Sequence, residues 1–167
     1  MTYSIRTAAL ADAEAVTALL EACYPTLFAA GYEPAILAAA LPRMTKSNPR
    51  LLASGHFFVA ESETGAIVGC GGWSKEQPGG TDLHKSEGHI RHFATHPDWL
   101  RRGIARAIIE HSIDQARAAG IHRLECYSSL VAIRFYEAVG FAVVGPWTVE
   151  LGPGVTLPGC LMRREIA

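Results

Sequence analysis

The chain has 167 residues, a formal net charge of −1 at pH 7 and 49% hydrophobic residues. These values predict one globular domain, over residues 1–167, with a core of its own. They give no broad basic surface for nucleic acid and no run of about 18 apolar residues that could cross a membrane. No signal peptide is recognisable, so a cytoplasmic protein is expected.

The four cysteines are scattered, and none forms a C-x-x-C pair: Cys23, Cys70, Cys126 and Cys160. Each sits in an apolar stretch, which favours buried free thiols in a reducing compartment. The histidines show no metal-ligand spacing either. We therefore expect no metal site.

The first third of the chain predicts a strand followed by helices. A strand is predicted over residues 3–7, a helix over 12–23 that ends before Pro25, and a short helix over 33–41. Residues 42–55 are expected to be irregular. This region carries apolar side chains that could line a pocket or pack in the core: Tyr24, Phe28, Tyr32 and Met44.

A hairpin is predicted next. Strands over residues 56–61 and 66–73 flank turn residues 62–65, and three glycines in the second strand suggest a bulge or a close backbone approach. Residues 75–88 read as a long polar loop that could cover a neighbouring site. The central strand follows over residues 90–95. Strict alternation would place His89, Arg91 and Phe93 on one face and Ile90, His92 and Ala94 on the other.

A basic turn and a helix follow the central strand. Apolar residues from Ile104 recur with helical spacing, and Gly120 is expected to cap the helix near Ala119. Unpaired amides, the helix dipole, a glycine and nearby arginines favour a phosphate or pyrophosphate at this turn. The charged residues concerned are Arg101, Arg102 and Arg106. The alternative is a surface turn with solvated arginines.

The remaining elements complete a mixed α/β order. A strand is predicted over residues 123–127, a helix over 130–139, and two strands over 141–149 and 155–164. The final pair is separated by residues 151–154, which contain two glycines and a proline. These late strands could also pair between two chains, so a homodimer is an option.

Two spaced motifs resemble the GNAT superfamily of N-acetyltransferases. The first reads Leu100-Arg101-Arg102-Gly103-Ile104-Ala105, similar to the family's Gln/Arg-x-x-Gly-x-Gly/Ala loop, with Leu100 departing from it. The second reads Ala132-Ile133-Arg134-Phe135-Tyr136-Glu137-Ala138-Val139-Gly140-Phe141, similar to Ala-x-x-Phe/Leu-Tyr-Glu-x-x-Gly-Phe. Ser129 stands where the family often has Asn.

The resemblance implies a fold and a cofactor site. The implied fold is α/β (α+β): a mixed, mostly antiparallel sheet of about seven strands flanked by about four helices, with strands 90–95 and 123–127 splayed apart. Acetyl-CoA would lie in the resulting wedge. Its expected contacts are the backbone of Phe93, Ala94 and Thr95, the turn residues Arg101, Arg102, Gly103, Ile104, Ala105 and Arg106, and Ser129, unless Ser129 caps the next helix.

Two side chains are candidates for the chemistry. Tyr136 occupies the motif position where the family commonly places its general acid, and a phenol can protonate a departing thiolate; the alternative is a packing tyrosine. His89 is the candidate base, since imidazole titrates near neutrality. Glu87, His92 and solvent are alternatives for that role.

The combined hypothesis is an acetyl-CoA-dependent N-acetyltransferase in which a primary amine attacks the thioester directly. The acceptor would be a small molecule or a peptide. One rival is a CoA-binding sensor or interaction module without turnover. Another is an acyltransferase that uses a different acyl donor or a hydroxyl acceptor.

Overall fold

The computed structural model describes residues 2–78 and 85–167, so much of the predicted loop over 75–88 lies outside the described residues. The described chain forms one seven-stranded sheet in the order β1-β2-β3-β4-β5-β7-β6. Only the β4–β5 pair is parallel. The strands are β1 Tyr3–Thr7, β2 Phe57–Ser62, β3 Ile67–Ser74, β4 Glu87–Thr95, β5 Arg123–Ser129, β6 Ala142–Gly152 and β7 Val155–Glu165.

Five α-helices accompany the sheet, against the four or so expected. They are α1 Ala13–Phe28, α2 Pro34–Met44, α3 Pro49–Ala53, α4 Ile104–Ala118 and α5 Ile133–Ala138. The additional helix, α3, lies in the stretch predicted to be irregular. The Asn48 side chain accepts the amides of Arg50 and Leu51, and Pro49 occupies the first turn, so a short helix is capped there. The predicted mixed fold is otherwise confirmed.

The predicted end of α1 before Pro25 is wrong, because the helix continues to Phe28. Proline removes one backbone donor and so weakens the last turn. The Tyr24 and Phe28 rings stack at 4.8 Å, and both are buried. Their packing against the core offsets the lost hydrogen bond.

None of the described helices is long and apolar enough to span a bilayer.

The sheet has two covered faces. On the α4–α5 face, Ile90, Leu124 and Met162 pack with buried residues of α4 such as Ile108. On the α1–α2 face, strand residues such as Phe57 pack with α1, α2 and α3. The amphipathic pattern of α4 is confirmed, and Gly120 takes a left-handed φ of 82° just after its end.

A bulge in β4 breaks the predicted alternation. Cys70 pairs with Ala94 but Gly72 pairs with Arg91, so β4 has one more residue than β3 between these pairs. The bulge coincides with His92, whose φ is 50°. The prediction that Phe93 shares a face with His89 and Arg91 is therefore wrong: Phe93 packs on the α4–α5 face with Ile90, and the same shift moves Ala94 to the α1–α2 face.

The expected divergence of β4 and β5 is confirmed. The two strands pair at three positions, Glu87 with Arg123, Gly88 with Leu124 and His89 with Glu125. Beyond these positions no β4–β5 pair forms. The gap between residues 91–95 of β4 and 126–129 of β5 is called the wedge below.

Gly72 is required by the close approach of β2 and β3. A Cβ atom at Gly72 would lie 2.2 Å from the His56 carbonyl oxygen and 2.7 Å from the Phe57 Cα. Because both obstacles are backbone atoms, a Gly72→Ala variant should lower the free energy of unfolding by about 2–3 kcal/mol. Chemical denaturation measures this change. Gly145→Ala in β6 is the matched control, since a Cβ there meets no atom within 4 Å; equal losses in both variants would contradict the explanation.

Candidate active site

The turn between β4 and α4 presents free backbone donors at one end of the wedge. Gly103 caps α4 with φ 75°, and Arg101 is also left-handed, with φ 61°. The backbone N–H groups of residues 102–106 donate no hydrogen bond to any residue that the structure describes. Left-handed residues turn successive amides toward a common point, which forms a concave anion site. A diphosphate fits this donor set in charge and hydrogen bonding.

The arginines of this turn differ in their contacts. Arg101 is exposed. The Arg102 guanidinium lies 5.0 Å from the centre of the Trp99 ring. Arg106, one turn into α4, points along the helix to Glu110 at 3.6 Å. Arg101 and Arg102 are thus the charges nearest the free amides, and Arg106 is partly engaged elsewhere.

The β4 side of the wedge is partly occupied by the chain itself. The Tyr24 hydroxyl donates to the Phe93 carbonyl at 3.1 Å, and the Cys70 thiol donates to the His92 carbonyl at 3.2 Å. On the edge of β4 that faces away from β5, Ala94 and Thr95 pair with β3. The Phe93 carbonyl therefore already has a donor, and α1 reaches the wedge through Tyr24.

Tyr136 lies between the two diverging strands. Its ring packs edge-on against Phe93 of β4 at 6.4 Å, and its hydroxyl lies beside the Cys126 thiol of β5. Only 6% of Tyr136 is exposed. Burial, together with Cys126 and Tyr24, raises its pKa well above the usual value. The phenol is therefore held protonated at neutral pH.

Ser129 ends β5 at the open end of the wedge. Its carbonyl accepts from the Ala132 amide at 3.2 Å and from the Ser128 hydroxyl at 2.7 Å. Neither serine side chain caps α5, whose N-cap is Ala132 without a side-chain bond. The capping alternative is thus not what the structure shows.

His89 lies on the α1–α2 face, at the last position where β4 pairs with β5. It is 3% exposed and its ring stacks with Tyr127 at a centroid distance of 6.0 Å. Tyr127 in turn stacks on Trp147 at 5.0 Å, and the Gln77 amide donates to its hydroxyl. Burial raises the pKa of Tyr127. An aromatic wall thus borders His89 on this face.

The other candidate bases are placed differently. Glu87 lies two residues before His89 and accepts a 3.0 Å hydrogen bond from Arg123, so its carboxylate is committed to an ion pair. Burial and the neighbouring Arg91 charge lower the pKa of His92 to about 4. A base with so low a pKa is neutral at pH 7 but a weak proton acceptor. His89 remains the candidate base because it lies where β4 and β5 begin to separate.

Local sequence patterns do not identify three neighbours of the site. They predict a buried thiol at Cys126 and strand positions for Arg91 and Tyr127, but no role in the site. Their roles depend on contacts between β4, β5 and α5, far apart in sequence. Among the described residues, no cluster of His, Cys, Asp or Glu is arranged to hold a metal ion.

Comparison with known proteins adds a family match. The sequence matches the acetyltransferase (GNAT) family over residues 13–141. It is 34% identical over 64 residues to the ribosomal protein bS18-alanine N-acetyltransferase of Escherichia coli (strain K12). That match covers 36% of this chain and 43% of the relative, so the chain spans less than half the length of this curated relative.

Solved structures share the fold along the whole chain. A GCN5-related N-acetyltransferase from Rhodopseudomonas palustris has a TM-score of 0.77 at 24% identity, covering 99% of this chain and 96% of that one. The PaiA N-acetyltransferase of Thermoplasma acidophilum, solved with coenzyme A, has a TM-score of 0.73 at 14% identity, covering 99% of each chain. An acetyltransferase from Salmonella typhimurium, solved with acetyl-CoA, has a TM-score of 0.65 at 20% identity, covering 100% and 95%.

The depressed pKa of His92 predicts a pH-dependent stability. The unfolded chain binds a proton at this histidine below about pH 6.5, whereas the folded chain does so only near pH 4. Stability should therefore fall as the pH drops from 6.5 to 4, by on the order of 2 kcal/mol from this group. His92→Asn, which tolerates a positive φ but does not titrate, should lose less stability over this range.

Denaturant unfolding at pH 7, 5.5 and 4.5 measures this effect. His122→Gln is the matched control, since that side chain is exposed. Parallel pH profiles for the wild type and the His92→Asn variant would contradict the prediction.

Proposed function

The chain belongs to the GNAT family of acetyltransferases, and from this membership we propose that it is an acetyl-CoA-dependent N-acetyltransferase acting on a primary amine. The observation that carries the proposal is the row of unbonded amides in residues 102–106 at the mouth of the wedge. Two structures with the same fold were solved with coenzyme A or acetyl-CoA. The partly matched relative is named as an N-acetyltransferase.

The proposed cofactor site follows the wedge. Amides of residues 102–106 would bind the diphosphate, with Arg101 and Arg102 adding positive charge. A Cβ at Gly103 would find open space, since its nearest neighbour would be the Tyr3 hydroxyl at 3.9 Å. Glycine is therefore needed at this position for its left-handed φ rather than for room. The backbone of Ala94 and Thr95 and the end of β5 at Ser129 would border the pantetheine arm.

Tyr136 is the proposed general acid. In the reaction, the N–C bond of the amide forms, the C–S bond of the thioester breaks, and the leaving thiolate needs a proton. The Tyr136 hydroxyl, which is protonated at neutral pH, lies between β4 and β5, where that sulfur would sit. The Cys126 thiol is already a neighbour of this hydroxyl, which supports a position beside a sulfur atom.

His89 is the proposed base. The attacking amine must lose a proton, either to a side chain or to water. His89 lies at the position where β4 and β5 begin to separate, on the face opposite α4. It could accept the proton directly or through one water. The ion pair of Glu87 and the low pKa of His92 support this choice over the alternatives.

Loss of the Tyr136 hydroxyl should impair turnover. Wild-type protein is expected to bind coenzyme A in calorimetry and to release thiol from acetyl-CoA when amines are added. Tyr136→Phe should lower kcat by about 100-fold or more while leaving the Kd for coenzyme A within about threefold. Tyr24→Phe, which removes the other buried hydroxyl of the wedge, is the comparison variant. If only Tyr24→Phe lost turnover, the acid would be misassigned, and thiol release without any amine effect would contradict N-acetyl transfer.

Replacing His89 should change the pH dependence of the reaction. With an imidazole base, kcat/KM falls as the pH drops below the pKa of that base, because the protonated form cannot accept a proton. His89→Gln should remove this acidic limb and lower kcat/KM by about 10- to 100-fold at pH 7.5. Steady-state assays from pH 5.5 to 9 provide the profile. An unchanged limb in His89→Gln would show that water or another group accepts the proton.

A further inference from the structure

Arg91 stands out among the partly buried charges of the sheet. Its one hydrogen bond within the described chain is from Nη1 to the Ser74 hydroxyl, at 2.9 Å. It forms no ion pair with any carboxylate that the structure describes. A guanidinium has five N–H donors, and arginines removed from water are normally paired. Burial lowers the pKa of Arg91, yet an arginine stays charged at neutral pH.

Other arginines of the sheet have carboxylate partners. Arg163 binds Glu125 at 2.8 Å, and Arg123 binds Glu87 at 3.0 Å and Glu165 at 2.6 Å. The carboxylates nearest to His89 along the sheet are thus already occupied. Glu76 acts on Arg91 through its charge but is not within ion-pair distance. Within the described part of the chain, the positive charge of Arg91 therefore has no carboxylate partner.

The position of Arg91 places this positive charge next to the proposed base, His89. It pairs with Gly72, which pairs with Phe57 of the α1–α2 face. It therefore shares that face with His89, two residues earlier and about 7 Å away along the strand. It is also the first same-face residue of β4 after the last β4–β5 pair. A ligand on Arg91 would lie at the opening of the wedge, beside the proposed base.

Contacts of Tyr32 and α2 reach across the α1–α2 face to the strands β6 and β7. The Tyr32 hydroxyl, from the segment between α1 and α2, donates to the Pro158 carbonyl at 2.5 Å and accepts from the Leu130 amide at 2.9 Å. α2 also contacts both β6 and β7. These contacts tie the segment after α1 to β7 and to the residue that follows β5, across the α1–α2 face. They favour a small acceptor over a protein tail.

We propose that Arg91 binds the carboxylate of a small amine acceptor, so that the substrate is a free amino acid whose amine lies beside His89. The proposal rests on the proposed N-acetyltransferase function and specifies its acceptor. In an α-amino acid, two bonds separate the amine nitrogen from the carboxyl carbon. A carboxylate on Arg91 therefore leaves the amine within reach of His89, directly or through one water. The wall of Tyr127 and Trp147 would border the amino acid's side chain.

A panel of matched acceptors tests this assignment. Wild-type protein and acetyl-CoA are assayed with glycine, glutamate and phenylalanine, with their carboxamides, and with phenethylamine. The free acids should be acetylated with kcat/KM at least 10-fold above their amides. Arg91→Met should lower kcat/KM for the acids by about 10- to 100-fold, the loss expected for a charge-assisted pair, and change the amides by less than about threefold.

Arg123→Met is the matched control, because it removes an arginine from the same face at an exposed, ion-paired end of β5. It should keep the preference for acids. Equal rates for acids and amides in the wild type, or an unchanged ratio in Arg91→Met, would overturn the proposal. Failure to bind coenzyme A, or to release thiol with any amine, would instead count against the proposed function.

A binding measurement tests Arg91 without turnover. Calorimetry with N-acetylphenylalanine and N-acetylphenylalaninamide, with and without coenzyme A, should show tighter binding of the acid, lost in Arg91→Met. Equal binding of the two would overturn the proposal. Asp82 lies outside the described residues, so Asp82→Asn is included. If Arg91 serves only to pair with Asp82, both variants will lower Tm and neither will alter the ratio of acid to amide, which would also overturn it.

Discussion

The loss of pairing between β4 and β5 after His89 and Glu125 is the constraint on which the rest of the structure depends. Two neighbouring strands that stop bonding leave backbone groups that must find other partners. Tyr24 supplies one, by donating to the Phe93 carbonyl. The opening between the strands is bordered by the free amides of α4 at one end and by Tyr136 inside. A thioester substrate could complete the hydrogen bonding that the sheet leaves unfinished.

Exclusion of water sets the protonation of the groups around this opening. The same desolvation that raises the pKa of Tyr136 lowers that of His92, since burial disfavours the charged form of each. The interior of the wedge thus holds a protonated phenol and a neutral imidazole at pH 7. The positive charges lie at the two ends of the wedge instead. Arg101 and Arg102 lie at one end, and Arg91 lies at the other end. This distribution suits two anionic substrate groups that approach from different sides.

Much of the fold and part of the site could be predicted from the sequence. The motifs around Gly103 and Tyr136 depend on local spacing, and the structure gives Gly103 its left-handed φ and buries Tyr136 between the strands. Errors arose where tertiary packing overrides a local rule, as at Pro25, where buried aromatic rings hold the helix, and at His92, where a non-glycine residue adopts a positive φ. That Arg91 has no carboxylate partner among the described residues could not be predicted either, because it depends on contacts across the sheet such as the binding of Glu125 to Arg163.

Under the proposed function, the bulge at His92 would let one strand contact two ligands. Before it, the side chains of His89 and Arg91 point to the α1–α2 face; after it, the phase is reversed, and Phe93 packs beside Tyr136. A single inserted residue thereby divides β4 into a segment suited to the acceptor and a segment suited to the cofactor. In that arrangement, the side chains of residues 89–95 could change on one side of the bulge without altering the contacts on the other. Their number could not change, because losing one residue would restore regular alternation and turn one set of contacts away from its ligand.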